Sequence, residues 1–242
     1  MTAGRTSAAG LCTIMAIVVW LGASPHVPAA AFDQGATGQM RREAVKRLGA
    51  GKLLVSARGL PDPNFADTVV LLADYDAQGA MGVIVNRQTD VPLGRLIPTL
   101  RGARVREMPA FFGGPVPADG VLALIRSNRA RSDARHIVGD VYLVNTREVL
   151  DEVVARGASD ADLRVFVGYA GWGARQLDDE TAQGAWHVLD GSGAVVFDPD
   201  PDTVWERQIL RTEGVLARHR GVPRAPAALL FDATAAQLRE AP

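Results

Sequence analysis

The sequence predicts an α+β fold: a single compact domain on a mixed β-sheet with flanking helices, the sheet either open or curled into a barrel-like form. Three observations carry this. Strand-like runs outnumber helical ones. Hairpin-like steps are mixed with single helices, so the strand–helix alternation of a doubly wound parallel sheet is missing. The 242 residues, 48% hydrophobic and 22% charged, have a globular balance and enough chain to bury a sizeable core. That balance excludes a disordered chain, a collagen-like repeat and a supercharged nucleic-acid tail.

The chain opens on an address rather than on fold. No Asp, Glu, Lys or Arg stands between Thr6 and Phe32, Arg5 precedes the stretch, and Leu11–Ala23 is strongly apolar. Pro25, Pro28 and Ala29-Ala30-Ala31 follow. A basic start, a short apolar centre and an A-x-A end are the parts of a secretory signal peptide. Residues 1–31 are therefore read as a leader cut after Ala31, and the mature protein as periplasmic or secreted. The apolar run is shorter than the roughly 20 residues that a membrane span needs, and an uncleaved leader is the chain's one expected contact with membrane. Cleavage removes Cys12, the single cysteine, and Arg5, so the net charge of −1 becomes −2. A near-neutral body gives no strong nucleic-acid signal.

Residues 32–50 read as a polar lead-in, a solvated and partly helical arm with Arg41, Arg42, Lys46 and Arg47. The domain proper is placed at 51–220 and a loosely attached tail at 221–242. Lys52–Ala57 and Asp67–Tyr75 are apolar runs of strand length. The turn signal Asp74–Gly79 joins the second to Ala80–Asn86, as a hairpin. Pro92–Leu100 reads as one short helix started near Asp90 and closed by Gly102. Val121–Arg126 and Val141–Val144 read as strands. Asn145 reads as a helix cap with Glu148 reaching back, Val149, Leu150, Val153 and Val154 on one face, and Gly157 ending the helix. Leu163–Val167 is a buried strand, Leu177–Gln183 helical, and Trp186–Leu189 and Val195–Phe197 short strands. Asp202 is expected to cap a last helix carrying Val204, Trp205, Ile209 and Leu210.

Four segments are over-specified for plain packing: Gly59-Leu60-Pro61-Asp62-Pro63-Asn64-Phe65, Gly79–Arg87, Phe111-Phe112-Gly113-Gly114-Pro115-Val116, and Gly168–Leu177 closing with Glu180. In order and spacing, with the later Trp186 and Trp205, they resemble the YqgE/AlgH family of bacterial proteins over roughly residues 51–212. Gln88 stands where members usually carry proline after the Asn-Arg pair. The resemblance implies a compact α+β domain and a link to transcriptional regulation of an exopolysaccharide pathway, with no reaction or ligand attached. It also implies a cytosolic location, the alternative to export.

Known chemical signatures are missing. There is no P-loop or dinucleotide-loop spacing and no G-x-S-x-G elbow. His136, His187 and His219 are not spaced as a metal set, so no metal and no cofactor are expected. The glycines suggest a site of another kind. Gly113, Gly114, Gly171 and Gly173, with Trp172 beside them, leave backbone amides bare for close approach. The approaching group is either the opposite loop or a ligand such as a small anion. The expected partner is thus a protein or a small anionic ligand, and the reading a non-enzymatic binding or regulatory protein. The alternative is a hydrolytic or transfer enzyme using the glycine loops and Asp179 or Glu180 as a general base. Both readings expect Phe111–Val116 and Tyr169–Gln176 to lie side by side.

Overall fold

The computed structural model describes residues 38–118 and 122–219; the expected leader, the expected tail and Val121 lie outside the described residues. In chain order the elements are α1 (Gly38–Lys46), β1 (Lys52–Ser56), β2 (Val69–Asp76), β3 (Gly79–Ile84), β4 (Gln88–Pro92), α2 (Leu93–Leu96), α3 (Ala103–Glu107), β5 (Pro109–Phe112), β6 (Leu122–Arg126), β7 (Arg135–Val138), β8 (Val141–Val144), α4 (Arg147–Ala155), β9 (Leu163–Val167), β10 (Ala170–Gly173), α5 (Gln176–Gln183), β11 (Trp186–Asp190), α6 (Gly193–Val196) and α7 (Val204–His219). They form two open sheets, neither closed into a barrel. The first is antiparallel, in the order β10-β3-β2-β1-β11; the second is mixed, in the order β4-β5-β9-β6-β8-β7, with β5 and β9 parallel.

Strand periodicity sets the layers. Leu53, Val55, Val69, Leu71, Val83 and Val85 turn one way, onto Phe111, Leu124, Leu143 and Phe166 of the second sheet. Their neighbours Leu54, Val70, Leu72 and Ile84 turn the other way, into a cluster with Trp172, Leu177 and Trp186. On the far side of the second sheet, Ala123, Ile125, Val144 and Val165 meet Leu93 of α2, Val105 of α3 and Leu150 of α4. Both faces of both sheets are covered, which is why the strands read as continuous apolar runs rather than alternating ones. Val196 of α6 and Val204 and Ile209 of α7 complete the inter-sheet core.

Several local expectations are corrected. Pro92–Leu100 is not one helix: α2 stops at Leu96, because Ile97 precedes Pro98 and takes φ −125°, ψ 82°. Gly102, at φ +86°, starts α3 rather than ending a helix. The cap of α4 is Thr146, not Asn145, and its side chain makes no capping bond. Val195–Phe197 is no strand; Phe197 N donates to Gly193 O at 2.9 Å and closes the single turn α6. A short β-branched run does not declare its period. Asp202 lies in a 3-10 turn, Pro201–Thr203, ahead of α7. Of the residues expected on that helix, Val204 and Ile209 are buried and Leu210 is 54% exposed. The lead-in is not wholly solvated: Ala44 of α1 and the following Leu48 pack into the outer cluster of the first sheet.

Candidate functional site

Parallel neighbours leave a sheet at the same end, so β5 and β9 release their glycine segments side by side. Phe111 pairs with Phe166 and Phe112 with Val167. Beyond them, Gly113 N donates to Val167 O at 2.8 Å, Val116 N to Tyr169 O at 3.0 Å and Tyr169 N to Val116 O at 2.9 Å. The two segments expected to be adjacent are thus joined backbone to backbone. A Cβ on Gly113 would overlap the carbonyl of Gly168, and one on Gly114 the backbone of Tyr169 and Ala170. Gly114 also holds φ +149°. These two glycines are bare because the chain crosses itself there.

Gly171 and Gly173 differ. Both are exposed on β10, at the edge of the first sheet. A Cβ on Gly171 would meet the Tyr169 ring at 3.2 Å, and one on Gly173 only Gln176 Oε1 at 3.9 Å. Trp172 turns inward between them and is 6% exposed. Its indole N–H donates to Glu180 Oε2 at 3.0 Å, and the Trp186 indole N–H donates to the same oxygen at 2.8 Å. Gln176 Nε2 donates to Glu180 Oε1 at 2.9 Å, and Gln176 Oε1 accepts from Gly173 N at 3.1 Å. Arg175 enters α5 in the left-handed region, φ +64°, which brings Gln176 back over the strand it has just left.

The other two segments converge on the same cluster. Phe65 stacks on Trp172 (centroids 5.8 Å, 26°) and meets Trp186 edge-on (5.6 Å, 78°). Its loop is held by the Asn-Arg pair. Arg87 donates to the carbonyls of Asn64 (2.8 Å), Pro63 (3.1 Å) and Ala66 (2.9 Å). Buried Asn86 accepts from Val69 N at 2.7 Å and donates to Asp67 O at 3.0 Å. Phe65, Gln176 and Trp186 were not among the expected site residues. The only sign of Phe65 in the sequence is an aromatic placed inside a rigid proline turn.

Of the enzyme reading's acids, Asp179 is exposed in the first turn of α5, and Glu180 has both oxygens engaged. Tyr75 donates to Asp178 at 2.9 Å; burial, then that bond, pushes the Tyr75 phenol up. His136, in β7, packs against Tyr142, and His187 lies in β11, part of the other sheet. Among the described residues no three His, Cys, Asp or Glu side chains are grouped as metal ligands would be.

One buried cation lies outside this cluster. Arg164 of β9 points into the inter-sheet core, donates to Val85 O at 2.7 Å and to Asp198 O, and lies 4.4 Å from the Phe111 ring centroid. Burial pulls its pKa down to about 10, against the opposing pull of Asp198 and Asp160.

A family model described as AlgH-like matches residues 53–217. A UPF0301 protein of Streptomyces coelicolor is 36% identical over 182 residues, 73% of this chain and 93% of the relative. A UPF0301 protein of Thioalkalivibrio sulfidiphilus is 34% identical, covering 66% of this chain and 87% of the relative. Among solved structures, the solution structure of the AlgH protein from Pseudomonas aeruginosa superposes with a TM-score of 0.55 at 28% identity, over 73% of this chain and 95% of that one. A crystal structure of a protein from Corynebacterium diphtheriae gives 0.59 at 22% identity, over 68% and 87%, and speaks to the fold alone.

Proposed function

We propose, from the premise that the chain belongs to the AlgH-like family, that it is a non-enzymatic binding or regulatory protein acting after export. The observation that carries this is the state of Glu180. A general base needs a free lone pair aimed at a reacting proton. Here three of the carboxylate's roughly four acceptor sites are taken by two indoles and a glutamine, which makes it a structural acceptor holding the aromatic cluster. What the cluster supports is a firm edge strand with an open outer position at Gly173, while at Gly171 the Tyr169 ring already lies beside the Cβ position. Glycine in a strand whose Cβ position is open suits close approach by another backbone or a small ligand. The regulatory half of the reading, on an exopolysaccharide pathway, comes from the family resemblance; export comes from the leader.

The test uses protein recovered from the cell envelope of the producing host. Its mass should begin at Phe32, and it should carry or retain from extract a stoichiometric partner or metabolite. Gly173→Arg has room to fold and should release that partner. An intact Met1 in cytosolic protein would overturn export. Turnover of an ester or phosphoester panel that Glu180→Gln or Asp179→Asn abolishes, in variants that still melt cooperatively, would overturn the binding reading in favour of the enzyme.

A further inference from the structure

Unpaired sheet edges invite another chain, and native proteins guard them with charge, proline or a bulge. The edge strands here are β10 and β11 of the first sheet and β4 and β7 of the second. β4 carries Asp90 and Pro92 and an irregular register. β7 carries Arg135 and His136 and a register shift. β11 carries His187 and Asp190, the latter paired with Lys52 at 2.6 Å. β10, Ala170-Gly171-Trp172-Gly173, has no charge and no proline, and its register with β3 is unbroken.

Along a strand, alternate residues send their N–H and C=O groups to the same side. Tyr169, just ahead of β10, exchanges both of its bonds with Val116 on the side away from β3. Two residues past Gly171, Gly173 N donates on that same side to Gln176 Oε1 at 3.1 Å. Gly171, between them and exposed, therefore turns its N–H and C=O outward as well. No strand lies beyond it, and no hydrogen bond reaches it from there among the described residues. Gln176 sets a side-chain amide where the peptide group of a neighbouring strand would stand. Its oxygen takes the Gly173 N–H as a strand carbonyl would, and its NH2 group is held by Glu180 Oε1 at 2.9 Å. The edge is thus filled at one end by Val116, at the other by a side chain that a rotamer change removes, and open in the middle.

We propose that β10 takes up an extended basic segment of a partner protein as an added strand, which rests on the reading of this edge as a binding surface and names what binds there. The incoming backbone bonds Gly171 and displaces the Gln176 amide from Gly173 N, as in other strand additions. One of its side chains, β-branched or aromatic, covers the open Gly173, the way cross-strand neighbours cover edge glycines. Charge sets the rest of its chemistry. Gly173 stands in register with Gly79, and Gly79 with Asp76. In the next row, Trp172–Ala80–Tyr75, the Tyr75 hydroxyl donates to Asp178 at 2.9 Å, and exposed Asp179 follows. Against these three carboxylates stands one guanidinium, Arg175, on a chain that is net negative as a whole. Lysine or arginine on the added strand is attracted to this end, and an acidic segment is repelled. A second copy of the chain does not fit. Two β10 strands paired antiparallel about Gly171 would set each Gly173 against the other copy's Tyr169, whose outward groups Val116 already occupies.

The experiment titrates the isotope-labelled protein with the end-blocked peptide Lys-Val-Thr-Val-Thr-Lys and follows amide shifts by NMR. Gly171 and Gly173 should shift most, the Gly171 N–H should slow in hydrogen exchange, and Overhauser contacts should join the peptide backbone to β10. The same peptide N-methylated at alternate residues keeps its side chains and charge but loses its edge-facing donors, and should bind about tenfold or more weaker. Gln176→Ala frees the Gly173 N–H and should bind the unmethylated peptide about threefold or more tighter. Asp179→Lys, at an exposed side chain with no bond to lose, should bind it about threefold or more weaker, a difference that shrinks as salt rises. Equal binding of the two peptides, shifts confined to other elements, or no shifts at millimolar peptide would overturn strand addition. Equal affinity for the analogue with glutamate in place of lysine would overturn the basic assignment. Release of an extract-borne partner by Gly173→Arg, with no peptide effect at β10, would overturn strand addition and leave the edge a binding surface. Turnover that Glu180→Gln abolishes would overturn that surface reading and the proposal with it.

Discussion

Glu180 Oε2 accepts from the indole N–H groups of both Trp172 and Trp186. A glutamine at that position offers one acceptor oxygen and turns an NH2 toward donors it cannot satisfy. Hydrogen bonds to a charged acceptor contribute about 1.5–3 kcal/mol, and an orphaned buried donor costs a similar amount. Glu180→Gln should therefore lower unfolding free energy by roughly 2 kcal/mol, read from urea midpoints. Trp172→Ala should cost about 3–5 kcal/mol, since a large aromatic buried to 6% exposure leaves a cavity behind. A near-neutral result for both variants would mean that the cluster is not structural and that Trp172 is free to serve a ligand. The residue types of this cluster were legible in the sequence: glycine beside tryptophan, then a glutamate one helical turn on from Gln176. What the tryptophan faces was not, because Phe65 reaches it from the loop between β1 and β2 and Trp186 from β11, at the opposite edge of the sheet.

At the scale of elements, the adjacency of β5 and β9 explains why the third and fourth segments meet. Their glycines separate by what a Cβ would strike. Gly114 combines φ +149° with overlap onto the backbone of Tyr169 and Ala170, whereas Gly59 holds φ +72° with open space around it. Gly59→Ala measures backbone conformation alone and should cost about 1 kcal/mol. Gly114→Ala adds a clash with backbone that cannot rotate away and should cost about 3 kcal/mol or more, the upper end of overpacking. Equal losses in denaturant melts would show that the crossing relaxes freely. Elements that bury an apolar run, β1, β2, β3, β8 and β9, were legible for the same reason: hydrophobic side chains on both faces mark them. β4 and β7 were not. Gln88-Thr89-Asp90 and Arg135-His136 are polar pieces at the two edges of the second sheet, where one side of the backbone pairs and the side chains stay wet. The break between α2 and α3 was written in Pro98, but a helix-period pattern continued across it.

On the scale of the whole molecule, the two sheets and the C-terminal segment meet at one side chain. Arg164 stands on the second sheet, bonds the carbonyl of Val85 just past β3 of the first, and bonds the carbonyl of Asp198 ahead of α7. Its Nε has no hydrogen-bond partner, so the guanidinium is incompletely compensated inside the core. Two effects oppose each other. Loss of the bonds to two carbonyls destabilises, while relief of a buried cation stabilises. Because the Val85 carbonyl would be left buried and the Asp198 carbonyl half-buried, the first wins, and Arg164→Met should be less stable at neutral pH by about 1–3 kcal/mol. The pH dependence has a definite sign. Burial holds the folded-state pKa at about 10, below the ordinary arginine value that the unfolded chain keeps. Between those values the unfolded state binds more protons, so unfolding free energy rises with pH there. The penalty on the charged form is fully present below the folded value and is relieved as pH climbs through it. Urea midpoints of the parent and Arg164→Met, followed from pH 8.5 to about 11, across the folded-state value of about 10, should therefore diverge, the parent gaining relative to a variant that has no such proton to release. Parallel curves would mean that the guanidinium keeps its proton and is better solvated between the sheets than its carbonyl and aromatic neighbours indicate.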